Sequence, residues 1–398
     1  MSPLHRLCAA LLALGLLVPG GAATSAGLER KISDSGPDAA LQDVFREIEA
    51  NRLDAALDRT EALLAVYPNF RLAHLVKGDL LLARARPLKT FGNIEAAGSE
   101  VEGLREEAIL RLRAYRERPP TEVVPRYLMQ MGPDQRYAVV VDTRRARLYV
   151  YRNDNGKPRF VADYYASHGK AGAEKMREGD NRTPLGVYHV TSFIEPKRLP
   201  DFYGSGAFPL NYPNDWDKRL GRTGHGIWLH GTPSDTYSRP PKASEGCVVL
   251  TNQDFTSLSS YVEPGSTPVI ISNEVEWLSL DDWQSSRRSL NDAIERWRRD
   301  WESLDVDRLL SNYSREFRSD RYDRDGWARQ KRRAAQGREW IKVGVDKVSM
   351  FRNPGKEELV VVTFEQTYRS NGLNDVHRKR QYWVREGGEW KIVYEGAA

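Results

Sequence analysis

The sequence predicts a multidomain α+β protein with a helical N-terminal region, a mostly-β central domain and a C-terminal α+β roll. Three observations support this prediction. Apolar residues recur at helical spacing in the first third, β-branched and aromatic runs separated by turn residues fill the middle, and a long helical stripe precedes further strand-like runs. A chain of 398 residues is long enough for two or three domains.

The composition is that of a globular protein. Hydrophobic residues make up 40% of the chain and charged residues 29%, which excludes a disordered or collagen-like protein. Mean hydropathy is −0.61, and a net charge of +5 is spread over interleaved acids and bases. No phosphate-binding loop, zinc-type Cys/His set or nucleic-acid motif occurs. We therefore expect no cofactor, no metal and no nucleic-acid partner.

Residues 1–26 are predicted to be a signal peptide. Leu7 to Val18 form a 12-residue apolar run that ends at Pro19 and is followed by small residues. Such a run is too short to span a bilayer as a helix, and small residues suit signal peptidase, so cleavage is expected near Ala23 or Ala26. An uncleaved anchor is the alternative. The mature protein is expected in the periplasm or cell envelope.

Residues 27–120 are predicted to be a helical accessory region. The stretch NRLDAALDRTEALLAVYPNFRLAHLVKGDLLLARA resembles a tetratricopeptide helix pair, with Tyr67 and Pro68 at the turn and Gly78 at a close helix contact. Only about one and a half units are visible, whereas a free-standing solenoid needs about three, so docking or dimerisation is the expected role. A third helix, Val101 to Arg116, ends before a linker.

Residues 135–274 are predicted to form the mostly-β domain. The runs after Tyr137 alternate with turn residues, and Asn153 to Gly156 have the composition of a hairpin turn. Further strands are expected at Gly186 to Ser192, Gly226 to Leu229 and Pro268 to Ser272.

Residues 280–398 are predicted to be the α+β roll. A stripe of apolar residues at helical spacing comes first: Leu290, Ile294, Trp297, Trp301, Leu304 and Leu309. Four strand-like runs follow it: Ile341 to Phe351, Glu358 to Arg369, Arg378 to Arg385 and Glu389 to Glu395. The motif W-x3-W-E-x-L-D, which begins at Trp297, and the residues Tyr313, Ser314 and Phe317 after it resemble the nuclear-transport-factor-2-like family over residues 285–398. Members of that family bind ligands in the cone of the sheet or mediate assembly, so the resemblance fixes no chemistry.

One cysteine and one histidine carry the candidate chemistry. Cys8 leaves with the signal peptide, and Cys247 remains 17 residues after His230, which ends a strand. A thiol attacks carbonyls as thiolate, and a nearby imidazolium lowers the thiol pKa and can protonate the leaving amine. Gly246 would let the backbone approach an oxyanion. A buried, inert cysteine beside a core histidine is the alternative.

Two motifs narrow these alternatives. The runs Gly226 to Gly231 and Ser244 to Asn252, with Glu178 to Tyr188 upstream, closely resemble the L,D-transpeptidase (YkuD-type) catalytic domain over residues 136–273. The resemblance implies a β-sandwich-like fold and a cysteine nucleophile that acts on peptidoglycan stem peptides.

The resemblance also implies individual roles. Cys247 matches the nucleophile and His230 the general base, while the Gly231 carbonyl would orient the imidazole. Gly246 and Cys247 would supply the N–H groups of the oxyanion site. Four residues are candidates for substrate binding, of which Ser244 is also expected to shape the turn: Trp228, Arg239, Lys242 and Ser244. A purely structural role for Arg239 and Lys242 stays open.

The motif departs from the commonest family pattern, S-H-G-C-x-R, at two positions. Glu245 replaces its histidine and Val249 replaces its arginine, which could weaken or redirect activity. His225 is not assumed to compensate. Three-part proteins with this domain order include a subgroup that sets bacterial cell shape, and some of these remove the terminal D-alanine from tetrapeptide stems as L,D-carboxypeptidases.

The implied reaction is acyl transfer from the third stem residue. Resolution of the thioester by an amine, the favoured outcome, makes an L,D-transpeptidase, and resolution by water makes an L,D-carboxypeptidase. The 195–222 loop is rich in aromatic residues that either form a lid or belong to the core. A peptidoglycan-binding module without activity is the third alternative. Peptidoglycan stems, other cell-wall proteins and a second copy of the chain are the expected partners.

Overall fold

The computed structural model of the chain describes most residues beyond the N-terminal segment. The described residues are 29–30, 32, 36–88, 90–92, 98–117, 122–355 and 358–398. The expected signal peptide, residues 1–26, lies outside them. Within these ranges, every helix is too short or too polar to cross a membrane.

Helices and strands are distributed as the sequence predicts, with helices first, strands in the middle and a mixture at the C-terminus. The α-helices are α1 (Pro37–Glu49), α2 (Leu53–Val66), α3 (Arg71–Ala83), α4 (Ser99–Arg116), α5 (Asp215–Arg219), α6 (Asn252–Ser259), α7 (Leu280–Glu302), α8 (Val306–Ser311) and α9 (Arg324–Ala335). The strands are β1 (Val123–Pro125), β2 (Leu128–Gln130), β3 (Tyr137–Asp142), β4 (Arg147–Asp154), β5 (Lys157–Tyr165), β6 (His168–Gly169), β7 (Gly186–His189), β8 (Ala207–Pro209), β9 (Trp228–His230), β10 (Lys242–Ser244), β11 (Val248–Val249), β12 (Pro268–Ser272), β13 (Trp277–Ser279), β14 (Tyr313–Ser319), β15 (Ile341–Arg352), β16 (Leu359–Ser370), β17 (Leu373–Glu386) and β18 (Glu389–Ala397).

Helices α1 to α4 pack around one apolar core, as the helical spacing of their leucines predicts. Leu57 and Leu63 of α2 and Leu72 of α3 are buried in that core. Helix α2 ends at Val66 because Pro68 disfavours helical backbone in the residue before it. The third predicted helix is α4, which begins two residues earlier than expected, at Ser99.

A five-stranded sheet in the order β5-β4-β3-β12-β7 forms one layer of the central domain. Strands β3 and β12 are parallel, and the other pairs are antiparallel. The β4–β5 hairpin turns at Asn155 and Gly156, whose φ angles of 54° and 86° favour these residue types. The predicted strand at Pro268–Ser272 is confirmed. The strand at Gly186 ends at His189, because Val190 bridges to Leu210 in another sheet instead.

A smaller sheet in the order β11-β9-β8 forms the second layer. Leu229 of β9 and Val248 of β11 join the same core as Val139 of the larger sheet. The predicted strand Gly226 to Leu229 is displaced, because Gly226 has a φ of 72° and extended backbone begins only at Trp228. The two layers position the residues that the sequence singles out.

A curved six-stranded sheet in the order β14-β18-β17-β16-β15-β2 forms the C-terminal domain. Helix α7 buries Leu290, Trp297 and Trp301 against it, as the stripe predicts. The stripe does not continue in one helix: Leu304 has a φ of 63°, and Asp305 caps a new helix, α8, by accepting backbone N–H groups.

The segment between the helical region and the central domain ties the domains together. Strand β2 adds to the C-terminal sheet beside β15, and the Trp283 indole donates a hydrogen bond of 2.7 Å to the Leu128 carbonyl. Trp216 stacks on Tyr382 with ring centroids 5.5 Å apart. These contacts fix the central and C-terminal domains against each other.

Candidate active site

The register of two short strands places the candidate catalytic side chains on one face. Strand β11 runs parallel to β9 with Val248 opposite Leu229, so Cys247 lies opposite Trp228. Side chains alternate along a strand. Because Leu229 and Val248 face the core, Trp228, His230 and Cys247 share the opposite face.

The His230 imidazole is held by its own loop. The ring is 1% exposed, and its Nδ1 lies 2.7 Å from the Gly231 carbonyl oxygen. A carbonyl only accepts, so Nδ1 carries the proton and Nε2 keeps a free lone pair. The rings of Tyr203 and Phe202 cover the imidazole, with centroids at 5.1 and 5.9 Å. Burial lowers the His230 pKa to about 4, so the ring is neutral at pH 7.

The Cys247 thiol is half-buried and bonded to the backbone that leads into strand β9. Sγ donates to the Gly226 carbonyl at 3.3 Å. Burial raises the thiol pKa to about 11, against the opposing effects of the Trp228 N–H and the Arg239 charge. The resting site therefore holds a neutral thiol and a neutral imidazole, the state in which a general base can take the thiol proton. The physical reason is that burial disfavours both charged forms.

The rate of Cys247 acylation should therefore fall with acidity only at pH values well below the ordinary pKa of histidine. We call this fall the acid limb. Neutral His230 can accept the thiol proton, whereas the protonated ring that forms as pH falls through about 4 cannot. The measurement is the second-order rate of Cys247 acylation by a carbapenem between about pH 3.5 and 8. A midpoint at or above the ordinary value of about 6.5 would contradict the neutral pair. The His230→Gln variant should lack this limb.

A tight turn precedes the thiol. Ser244 Oγ donates to the Cys247 carbonyl at 2.6 Å and accepts the Gly246 N–H at 3.1 Å. Gly246 has a φ of 132°, and a Cβ there would lie 2.8 Å from the Arg182 carbonyl oxygen, so only glycine fits. The Gly246 N–H, expected at the oxyanion, is thus engaged inside the turn that Ser244 shapes.

The two basic candidates differ in their placement. The Arg239 guanidinium lies 4.5 Å from the centroid of the Phe202 ring, the ring that also covers His230. Its positive charge acts on both Cys247 and His230. Lys242 instead forms an ion pair of 2.7 Å with Glu106 of α4. The structure therefore brings Arg239, and not Lys242, to the thiol.

The residues at the altered motif positions do not rebuild the missing histidine. Glu245 points into solvent with 79% of its side chain exposed and lies 3.5 Å from Lys170. Val249 is buried. The exposed His225 ring lies 3.4 Å from the Glu178 carboxylate.

The upstream motif organises a loop through one carboxylate whose role the sequence analysis did not assign. Asp180 accepts backbone N–H groups from Met176 at 2.8 Å, Arg177 at 3.0 Å and Arg182 at 3.1 Å. It also pairs with the buried Lys175 ammonium at 2.7 Å. These bonds hold the Asp180 pKa well below its usual range despite desolvation.

Thr183 connects that loop to the turn before the thiol. Its hydroxyl accepts the Gly169 N–H and donates to the Gly246 carbonyl, both at 2.9 Å. The positions of Asp180 and Thr183 within the upstream motif, Glu178 to Tyr188, were the signal that could have identified both residues.

Asn252 likewise connects two segments by hydrogen bonds, on the other side of His230. Its side chain accepts the Ser205 N–H and donates to the Thr232 carbonyl, both at 2.8 Å. A Cβ at Gly231 would lie 2.2 Å from the Asn252 Oδ1. The amide thus clamps the loop bearing Phe202 and Tyr203 against the strand that carries the imidazole.

The aromatic residues of the 195–222 loop divide between the two expected roles. Phe202 and Tyr203 lie against His230, and Tyr203 also packs on Trp228 at 4.9 Å. The other three are buried: Phe208, Tyr212 and Trp216.

Two cavities lie away from the thiol. A groove of about 990 Å³ runs between α5 and the C-terminal domain and is lined in part by Arg219 and Tyr394. A cavity of about 230 Å³ in the cone of the C-terminal sheet is lined by Trp301 and Lys331, among others. Within the described ranges, no group of three or more His, Cys, Asp or Glu is arranged to hold a metal ion.

Family comparisons agree with the two resemblances. Residues 136–271 match the model of the L,D-transpeptidase catalytic domain, YkuD. Residues 289–396 match the model of the Cds6 C-terminal NTF2-like domain. A search of the curated proteins finds no match to the chain.

Solved structures show the same domain arrangement. The chain is similar to Bd1075 of Bdellovibrio bacteriovorus, with 28% identity and a TM-score of 0.62 over 69% of this chain and 98% of that chain. It is also similar to the helical cell shape determining protein Pgp2 of Campylobacter jejuni, with 26% identity and a TM-score of 0.58 over 68% of this chain and 95% of that one.

Proposed function

We propose, from the match of residues 136–271 to the L,D-transpeptidase catalytic domain, that the protein is an exported cysteine acyltransferase of peptidoglycan. It attacks tetrapeptide stems at the bond between the third residue and the terminal D-alanine. The observation that carries the proposal is the shared strand face on which Cys247 and His230 lie beside Arg239.

The reaction begins with a neutral pair. The Cys247 sulfur bonds to the carbonyl carbon of the third stem residue while His230 Nε2 takes the thiol proton. The tetrahedral intermediate then breaks its C–N bond, and the imidazolium returns that proton to the departing D-alanine amine. A thioester remains, and the neutral imidazole is restored. The backbone N–H of Cys247 is the proposed oxyanion donor, because the Gly246 N–H is already bonded to Ser244 Oγ.

Arg239 is the proposed anchor for the substrate. A guanidinium binds a carboxylate through two parallel hydrogen bonds, and the terminal D-alanine of a stem ends in a carboxylate. Its position over Phe202 keeps the charge at the edge of the site. Trp228, stacked beside Tyr203, supplies an apolar wall for the peptide.

The second half-reaction has two candidate acceptors. An amine of a neighbouring stem gives a 3→3 cross-link, which is the transpeptidase outcome. Water gives a tripeptide, which is the L,D-carboxypeptidase outcome. One observation favours water: the chain is similar over two domains to a helical cell shape determining protein, and trimming of stems changes cross-linking and so cell shape.

Product analysis separates these acceptors. The mature protein should release D-alanine from disaccharide tetrapeptide, and mass spectrometry should show tripeptide alone if water is the acceptor. Dimers, or exchange of an added D-amino acid for D-alanine, would identify an amine acceptor. Unchanged tetrapeptide after incubation with folded protein would overturn the proposed reaction.

The flanking domains have proposed roles in placement. We assign residues 27–120 and 280–398 to contacts outside the reaction itself, with peptidoglycan strands, other cell-wall proteins or a second copy of the chain as partners.

Lys331 supports a ligand role for the C-terminal cone, because its ammonium is buried over Trp301 and Trp327 and burial lowers its pKa to about 7.

A further inference from the structure

The segment between His230 and Cys247, residues 232–242, lies against the N-terminal helices as well as the active site. We propose that the N-terminal helical region is a support for substrate recognition, which positions Arg239 through this segment, with Glu107 of α4 as the principal positioning residue. The proposal rests on the proposed function in one respect: Arg239 is taken to bind the terminal carboxylate of the stem.

Tyr237 anchors the segment in the helical core. Its ring lies 4.5 Å from that of Phe70 and 5.1 Å from that of Tyr67, measured between centroids. Its backbone N–H donates to the Asn69 carbonyl at 3.4 Å. A loop of a catalytic domain has therefore inserted an aromatic side chain between two helices of another region, at the α2–α3 turn.

Glu107 forms the second anchor. Its side chain is fully buried, and its Oε1 accepts from Ser238 Oγ at 2.8 Å and from Arg111 Nε at 2.9 Å. A buried carboxylate is stable only when charged or polar partners compensate it. Ser238 is the residue next to Arg239, so this hydrogen bond fixes the backbone from which the guanidinium projects.

Close packing forms the third anchor. Pro240 lies against Gly103 of α4, where a Cβ would come within 2.9 Å of the proline ring. No other residue type at Gly103 would permit this approach without a shift of one partner. Two residues later, Lys242 pairs with Glu106 at 2.7 Å. Helix α4 thus contacts the segment at three successive points.

The central domain holds the opposite side of the same backbone. The Tyr165 hydroxyl donates to the Arg239 carbonyl at 3.0 Å, and the Ser167 hydroxyl donates to the Pro240 carbonyl at 2.6 Å. The main chain at Arg239 is therefore clamped between α4 and β5, while its guanidinium lies over Phe202 at the site. Loss of one half of the clamp would let the guanidinium drift, while the thiol and the imidazole keep their own hydrogen bonds to Gly226 and Gly231.

Equilibrium binding to the full mature chain in a Cys247→Ala background tests this role without turnover. The ligand is disaccharide tetrapeptide, measured by calorimetry. Glu107→Ala should weaken binding about 10-fold, as loss of a hydrogen bond to a charged group does. In an Arg239→Ala background the same change should weaken binding less than about 2-fold, because the two residues act as one unit. Tetrapeptide with an amidated C-terminus should bind all variants equally.

Three further variants isolate the clamp. Glu107→Gln keeps an acceptor for Ser238 and should restore most of the affinity. Ser238→Ala removes the same hydrogen bond while it keeps the ion pair between Glu107 and Arg111, and it replaces Glu107→Ala if that variant does not fold. Glu102→Gln changes an exposed carboxylate of the same helix and should bind as the parent does.

The outcomes distinguish the positioning role of Glu107 from the proposed reaction at Cys247. Equal weakening by Glu107→Ala with and without Arg239 would show that the helices only stabilise the fold and would overturn the positioning role, even if the wild-type protein releases D-alanine. Coupled weakening in a protein that releases no D-alanine would leave the positioning role standing and overturn the proposed reaction. An Arg239→Ala chain that binds tetrapeptide normally would also overturn the positioning role.

Discussion

Replacement of Cys247 by alanine should abolish release of D-alanine from tetrapeptide stems and abolish formation of a carbapenem adduct. In the proposed mechanism the sulfur forms the thioester, and Cys8, the other cysteine of the sequence, lies in the expected signal peptide. His230→Gln should keep the thiol but slow acylation by about 10²–10⁴-fold, since it removes the proton acceptor. Intact-mass spectrometry after incubation with a carbapenem measures both effects.

The control for these variants is a measurement of thermal unfolding, which shows whether they still fold. Cys247 and His230 lie at the ends of short strands and are not central to the cores, so thermal unfolding of both variants should follow that of the parent. A folded wild-type protein that forms no adduct and releases no D-alanine would favour a peptidoglycan-binding module. A Cys247→Ala protein that still releases D-alanine would place the reaction elsewhere in the chain.

Local patterns in the sequence predicted the order of helical and strand-rich regions along the chain. The helical spacing of leucines, the turn at Asn155 and Gly156, and the strand at Pro268–Ser272 each depend on a few neighbouring residues, and the structure confirms them. These features were predictable because each depends on residues close together in sequence.

Features that depend on distant segments were not predictable. The neutral state of His230 follows from its cover by Phe202 and Tyr203, which come from a loop that the sequence could assign only to a lid or to the core. The addition of β2 to the C-terminal sheet joins residues more than 200 positions apart in the chain. The bond from Ser238 to Glu107 likewise links two domains. Nothing in the local composition of these segments specifies their partners.

The second large effect is expected at Asp180. Asp180→Ala should destabilise the central domain by about 3–5 kcal/mol, because it leaves the buried Lys175 ammonium without its partner and frees three backbone N–H groups. The loss should reach the thiol, since Thr183 links the same loop to the Gly246 carbonyl. Urea unfolding, monitored by the rate of thiol modification at Cys247, measures this loss of stability. The half-buried sulfur reacts freely only when its surroundings open.

Glu178 offers a matched control within the same motif, two residues from Asp180. Its side chain is 70% exposed and its partner His225 is 83% exposed, so Glu178→Ala should change the free energy of unfolding by less than about 0.5 kcal/mol. Equal effects of the two substitutions would show that the loop is not held by its buried ion pair.

The contribution of Asp180 to stability should depend on pH with a defined sign. The Asp180 pKa is held below its usual range, so its contribution is complete above the unfolded-state value of about 3.9 and disappears as pH falls through the folded-state value. A parent protein that loses this contribution already near neutral pH would contradict the assignment, because the carboxylate would then not be the charged centre that orders the loop.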